Sequence, residues 1–168
     1  MPSLLRALRL LSLVVWVGGI VFFAFVVAPV AFHNLPSPHE AGIVVRGTLL
    51  VLNKIGFACG WVFLIASFLL VRFYRSASRS AIAQSVLIGL MMILTQYTQV
   101  IVNAMEDDRT HAGGNIDAAD TGNPYRQHFE VLHIRSERVE GTILFLGLGV
   151  CVLLASDAGV RRLTEPSA

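Results

Sequence analysis

The segment from Leu10 to Ala31 constrains this chain most, because its 22 residues carry no charge. At about 1.5 Å per residue, a helix of that length crosses the roughly 30 Å hydrocarbon core of a bilayer. Three later segments are similarly apolar. The whole chain is 55% hydrophobic and only 14% charged, whereas soluble domains carry about a quarter charged residues. The sequence therefore predicts an all-α, integral membrane four-helix bundle.

Local signals give the approximate helix bounds. Ser37 and Glu40 have the spacing of a capping box, with Pro38 at the first helical position. Asn123 followed by Pro124 predicts another helix start. We expect one transmembrane domain over residues 1–168, with helices 2–4 extending beyond the outer membrane surface. The predicted helices cover approximately residues 4–32, 38–71, 80–111 and 124–158.

The placement of basic residues predicts the topology. The first apolar run is longer than the core of a signal peptide, so we expect an uncleaved first helix. With four spans, seven Arg residues lie on one side and six Arg or Lys residues on the other. The seven are concentrated in short segments near the membrane ends, which is the pattern of a cytoplasmic side. We therefore expect a multi-pass protein of the bacterial inner (plasma) membrane with both termini in the cytoplasm.

Small residues recur at helix-packing spacing. Apolar side chains gain little by leaving lipid, so membrane helices associate through close backbone approach and interhelical hydrogen bonds. This favours tight packing within one chain, while a homo-oligomer stays open. The residues predicted to pack the helices are Trp16, Gly18, Gly19, Gly56, Gly60 and Gly147.

Three stretches together resemble a known family. They are the pattern of Trp16, Gly18, Gly19, Phe22, Phe23, Ala28, Pro29 and Phe32, the stretch from Ser37 to Gly42, and the stretch from Phe129 to Ser136. Their order and spacing resemble a bacterial four-helix membrane family of unknown function, known as domain of unknown function 4149 and related to eukaryotic transmembrane protein 205. The resemblance implies a four-helix membrane protein and no established activity.

Polar residues cluster towards the outer ends of helices 2, 3 and 4. Positions 96, 99, 103 and 106 share one face of helix 3 because they are three or four residues apart. A lysine and a carboxylate in such a place must pair or neutralise, so we expect Lys54 to pair with Glu140 or Glu137. The cluster predicts an outward-facing polar pocket for a small solute or ion; alternatively, it ties the helices together and faces water. Its members are Asn53, Lys54, Gln96, Gln99, Asn103, Glu106, His133, Glu137 and Glu140.

Metal and haem are weaker alternatives. Pairs four residues apart on helices 3 and 4 could converge on a divalent ion, but the Glu-x-x-His repeats of carboxylate di-metal bundles are absent. Haem between His33 and His133 is a further alternative. The first helix is also similar to copper-resistance proteins and haem-associated protoporphyrinogen oxidases, which carry a histidine where this chain has Arg9. We predict no cofactor. The weak metal candidates are Asp107, His111, His128, His133 and Glu137.

Three functional hypotheses follow. The first is binding or transport of a small molecule or ion through the polar pocket. The second is a structural or interaction role, in which the outer helical portion engages a partner. The third is a haem- or metal-dependent redox protein. Cys59 and Cys151 lie in apolar segments without a catalytic motif, so we expect no enzyme. The net charge of +2 with scattered arginines predicts no nucleic-acid binding and leaves the lipid bilayer as the expected partner.

Overall fold

A computed structural model describes residues 2–74 and 79–164 of the chain. Four long helices account for most of these residues, and the described ranges contain no β-strand. All four helices are long and apolar enough to cross a membrane. The all-α, multi-pass architecture predicted from the sequence is thus confirmed. The helices are α1, Pro2–Asn34; α2, Pro38–Tyr74; α3, Arg79–His111; and α4, Pro124–Thr164.

The helix starts and stops follow from local chemistry. The Ser37 hydroxyl accepts a hydrogen bond from the backbone N–H of Glu40 at 3.2 Å, which caps α2. Asn123 caps α4 by accepting from the N–H of Tyr125 at 2.9 Å. Gly113 and Gly114 directly follow the end of α3 and both have φ of +90°, a conformation that residues with a Cβ rarely adopt.

Helix α1 contains a feature that the sequence did not predict. Its residues Phe23–Val27 form a π-helical turn, in which the N–H of Ala28 bonds to the carbonyl of Phe23, five residues back. Pro29 follows directly and has no N–H to donate. The helix is therefore locally widened, and such turns often occur beside functional sites.

The helices run alternately up and down, and sequential neighbours pack together. Helices α1 and α2, α2 and α3, and α3 and α4 share extensive contacts, whereas α1 and α4 touch mainly through the first segment of α1. Two ends of the bundle can thus be distinguished. We call the end with residues 35–37 and 112–123 the loop end, and the end with Arg9 and Asp157 the termini end.

The bundle packs around Trp16. Its side chain is 2% exposed and lies across Gly56 and Gly60 of α2. A Cβ added at Gly56 would lie 2.2 Å from the indole nitrogen, and one at Gly60 would lie 3.1 Å from the ring. The absence of side chains at Gly56 and Gly60 therefore makes room for the indole ring of Trp16. The surrounding buried core consists of Leu13, Val17, Ile20, Phe63, Ile88, Met91, Met92, Ile143 and Val150.

The other small residues differ in their surroundings. A Cβ at Gly147 would lie 2.6 Å from the Val17 side chain, and one at Gly19 would lie 2.7 Å from Leu52. Gly18 is exposed and would have nothing within 4 Å. The packing role predicted for Gly18 is thus wrong, because it lies on the outward side of α1, one position away from the contact surface.

The Trp16 contact predicts opposite outcomes for two glycine substitutions. Gly56→Ala places a methyl group inside the indole contact, so we expect a loss of about 1–3 kcal/mol in unfolding free energy from overpacking. Gly18→Ala adds a methyl group in open space and improves helix propensity, by at most about 1 kcal/mol. Thermal unfolding of both variants in one detergent checks this. Equal effects at the two positions would contradict the close packing of Trp16.

Candidate functional site

A cavity of about 530 Å³ lies at the loop end, enclosed by all four helices. Its size falls within the 300–1,000 Å³ common for small-ligand pockets. One side is apolar and includes Phe23 and Ala24 of the π-helical turn. The opposite side carries charged and polar groups from α2, α3 and α4. The polar lining residues are His39, Arg46, Glu106, Arg109, Asp117, His133, Ser136, Glu137 and Glu140.

Two arginines share one carboxylate in this lining. Oε2 of Glu106 lies 3.5 Å from Nε of Arg46 and 3.4 Å from Nη1 of Arg109. Arg109 is 8% exposed, and its guanidinium lies 5.8 Å from the centre of the Phe129 ring. Because Glu106 supplies one negative charge to two positive ones, the group retains an excess of hydrogen-bond donors and positive charge.

Several buried polar atoms in the lining have no hydrogen-bond partner among the described residues. They are Nε of Arg109, Nδ1 of His39 and Oε1 of Glu140, whereas Nε of Arg46 lies within ion-pair distance of Glu106. Glu140 approaches the hydroxyl of Thr98 on α3, and its Oε1 has no hydrogen-bond partner among the described residues. A buried polar group without a partner costs about 1–3 kcal/mol, and more when it is charged. The residues that line the cavity thus include both a donor and an acceptor that lack a partner among the described residues.

His133 and Glu137 form a separate pair on α4. Nε2 of His133 lies 3.3 Å from Oε1 of Glu137, one helical turn away. Both side chains are about half exposed or more, at 49% and 67%, and both line the cavity. They therefore form its open edge on α4, while Glu140 lies one turn deeper.

The structure brings together four of the nine residues predicted for the pocket: Glu106, His133, Glu137 and Glu140. The other five do not line the cavity. Asn53 is buried with Nδ2 unpartnered. Gln99 is half-buried and donates to Asn103 at 3.4 Å. The exposed members are Lys54, Gln96 and Asn103.

The predicted ion pair of Lys54 does not form. No ion pair in the described residues joins Lys54 to Glu137 or Glu140; Glu137 pairs with His133 instead. Adjacent residues on a helix point about 100° apart. Asn53 faces inward, so Lys54 faces outward, where its ammonium group remains exposed. The prediction was wrong because it considered depth along the helix and not direction around it.

The weak metal candidates do not converge either. His111 contacts the backbone carbonyl of Asp107 at 2.7 Å and stacks on Tyr125. His128 pairs with the carboxylate of Asp108 at 2.8 Å. Within residues 2–74 and 79–164, no three His, Cys, Asp or Glu side chains form a group that could hold a metal ion. His33, the other haem candidate, is exposed and does not line the cavity that His133 lines.

Sequence reasoning missed five polar residues of the cavity lining: His39, Arg46, Arg109, Asp117 and Ser136. His39 falls in the first turn of the predicted helix 2 and drew no functional assignment, and the two arginines entered the sequence analysis only through the count of basic residues. A signal was present, because His39 and Arg46 are seven residues apart and so share one face of α2. Gly42 lies on the same face, and a Cβ there would lie 3.5 Å from the Arg109 guanidinium. The spacing of His39, Gly42 and Arg46 in the sequence could therefore have identified this face of α2 as part of the site.

A second polar cluster, also missed, lies at the termini end. Arg9 is 9% exposed and donates to Oε1 of Gln84, which is fully buried. The Gln84 amide donates to Ser80 at 2.9 Å and to Asp157 at 3.0 Å. The Arg9 guanidinium also lies 4.8 Å from the centre of the Phe63 ring. Side chains from all four helices thus meet in one network, which we call the termini-end network.

The fold and the cavity define a class: a multi-pass membrane protein built from four helices, with a polar cavity at one end. The chain belongs to a family described as "Domain of unknown function (DUF4149)", whose pattern matches residues 11–110. This match includes the first two stretches that carried the resemblance, around Trp16 and Ser37, but not the stretch on α4. No curated protein and no solved structure matches the chain.

The termini-end network predicts a large difference between two glutamines of α3. Gln84→Leu removes the hydrogen bonds to Arg9, Ser80 and Asp157, so we expect a loss of about 1–3 kcal/mol in unfolding free energy. Gln96→Leu is the matched control, because Gln96 is exposed on the same helix and its loss changes stability by about 0.5 kcal/mol or less. Thermal unfolding in detergent measures both. A Gln84→Leu variant as stable as the control would contradict a structural role for the network.

Proposed function

We propose that the protein binds a small polar or charged molecule in the loop-end cavity. The unpartnered Oε1 of Glu140 carries this proposal, because a ligand that donates a hydrogen bond there would offset the cost of its burial. The unpartnered Nε of Arg109, nearer the loop end, supports it, since a guanidinium N–H binds carboxylate, phosphate or carbonyl oxygen. The ligand would therefore carry both a donor and an acceptor.

The closed bundle beneath the cavity favours binding over an open pore. Trp16, Ile88, Met91, Ile143 and Val150 are at most 2% exposed and fill the bundle between its two ends. Such packing leaves no aqueous path through a single chain in this conformation. Transport by this protein would require a second conformation or an oligomer, so we propose a binding role without catalysis.

We further propose that the loop end faces away from the cytoplasm of a bacterial inner membrane. The support is the sequence pattern of basic residues, since Arg6, Arg72 and Arg79 lie close to helix ends at the termini end. At the loop end, basic residues share a longer segment with several acidic ones. The cavity would then open towards the periplasmic side.

Two isosteric substitutions distinguish a binding site from a structural cluster. Glu140→Gln removes a buried charge that has an unpartnered oxygen, so we expect the ligand-free protein to gain about 1–3 kcal/mol in unfolding free energy. Glu106→Gln removes the shared partner of Arg46 and Arg109, so we expect it to lose stability. Thermal unfolding of the two variants beside the unmodified protein gives both values. A loss in Glu140→Gln comparable to that in Glu106→Gln would assign Glu140 a structural role and contradict the binding proposal.

Cysteine labelling tests the proposed orientation. Thr121→Cys adds a thiol to the exposed connection between α3 and α4, and Ser3→Cys adds one near the exposed start of α1. A membrane-impermeant maleimide should label Thr121→Cys in spheroplasts and Ser3→Cys only after lysis. The unmodified chain, with half-buried Cys59 and Cys151, gives the background. The reverse labelling pattern would overturn the orientation.

A further inference from the structure

The cavity is formed by a separation of α1 from α4. The two helices touch where Val17 meets Gly147. Towards the loop end, the π-helical turn and residues 28–34 of α1 pack mainly on α2. The gap between α1 and α4 widens into the cavity, whose floor includes Ile20 and Leu144 just above the contact.

Antiparallel helices allow the two sides of the gap to be aligned by height. Ala24 and Glu140 are each seven residues from the Val17–Gly147 contact, about 10 Å along the axis. Ala31 and His133 are each fourteen residues away, about 21 Å. At equal height, α1 is therefore apolar and free of charge, whereas α4 carries carboxylates and a histidine.

The gap also has an open edge on each helix. Ala24 and Phe32 on α1 are exposed although they line the cavity, and so are His133 and Glu137 on α4. We call this opening the lateral mouth, lined by Ala24, Phe32, His133 and Glu137.

Lipid is the expected surrounding at the lower part of this mouth. Phe22 and Phe25 of α1 are 58% and 71% exposed on the turns beside Ala24. They belong to the charge-free run of α1, which is long enough to cross the hydrocarbon core. A molecule dissolved in the membrane would thus reach the cavity sideways, with its apolar part against Ala24 and its polar part against α4.

The charges of the lining indicate the headgroup. Arg46 and Arg109 lie towards the loop end and share a single carboxylate. Deeper in the cavity, Glu140 has an unpartnered oxygen. Glu137 lies one turn nearer the open edge and pairs with His133. A head that bears both an anion and an ammonium group satisfies both regions, whereas an anion alone leaves Oε1 of Glu140 unpartnered.

We propose that the ligand is a membrane amphiphile with a zwitterionic phosphate–ammonium head, which enters through the lateral mouth. This deepens the proposed function and depends on it. The phosphate contacts Arg46 and Arg109, and the ammonium group contacts Glu137 and Glu140. The chain lies along the apolar face of α1. A cavity of about 530 Å³ accommodates the head and the start of one chain, and the rest of the chain extends into the lipid.

Three probes test this with the full chain purified in a maltoside detergent. They are lysophosphatidylethanolamine, lysophosphatidylglycerol with the same chain, and glycerophosphoethanolamine, which is the zwitterionic head without a chain. Native mass spectrometry and thermal-shift titration give the affinities. We expect the first probe to bind at least about tenfold more tightly than either of the others.

Two substitutions on α1 test the lateral mouth. Ala24→Trp fills the opening and should weaken binding of the zwitterionic lysolipid by about tenfold or more. Phe25→Trp is the matched control, because Phe25 faces outward on the same turn, and it should leave the affinity within about twofold. If Ala24→Trp fails to fold, Ala28→Leu at the cavity wall is measured instead, and it should also weaken binding of the zwitterionic lysolipid.

The outcomes separate the two proposals. If glycerophosphoethanolamine binds as tightly as the lysolipid, the amphiphile is ruled out and the small-molecule cavity stands. If lysophosphatidylglycerol binds as tightly or more tightly, the zwitterionic head is ruled out. Equal affinities of Ala24→Trp and Phe25→Trp would overturn lateral entry. If no probe binds and Glu140→Gln destabilises the protein, the binding function itself is overturned.

Discussion

The contact of Trp16 with the glycines of α2 is the constraint on which the bundle depends. Lipid solvates apolar side chains as well as a protein core does, so membrane helices are held by close approach rather than by hydrophobic burial. The indole ring lies directly on Gly56 and Gly60, which brings α1 onto α2. Its neighbour Val17 meets Gly147 of α4, and Met92 of α3 abuts Gly60. Trp16 and Val17 of α1 and Met92 of α3 thus join all four helices at one height.

The two ends of the bundle complete this central packing in different ways. At the termini end, Gln84 bonds to Arg9 and Asp157 and closes the bundle. At the loop end, α1 diverges from α4 beyond the Val17–Gly147 contact. The π-helical turn before Pro29 lies in this divergent part, and two of the α1 residues that line the gap, Ala24 and Ala28, offer only a methyl group. The cavity forms in this gap, and polar side chains of α4 line the wall that faces α1.

The sequence predicted the architecture well and the site only in part, for a physical reason. Length, apolar runs and caps such as Ser37 act locally, so helix existence and ends are readable from neighbouring residues. Helix spacing also placed Glu106, Glu137 and Glu140 in one region. It could not orient Lys54 or relate Arg9 to Asp157, because direction around an axis and contacts between distant segments arise from the packing of helices. The π-helical turn escaped prediction because a proline near a helix end is equally compatible with a simple bend.

The termini end and the loop end of the bundle differ in whether their buried polar atoms have hydrogen-bond partners. Polar side chains within membrane helices are costly to bury, and packing that leaves one without a partner adds a further cost. This chain provides Gln84 with partners on three other residues in a fully buried position. The same bundle leaves Oε1 of Glu140 and Nε of Arg109 unpartnered around an open volume. Because the fold satisfies Gln84 fully at one end, the unpartnered atoms of Glu140 and Arg109 at the other fit the proposal that a ligand supplies their missing hydrogen bonds.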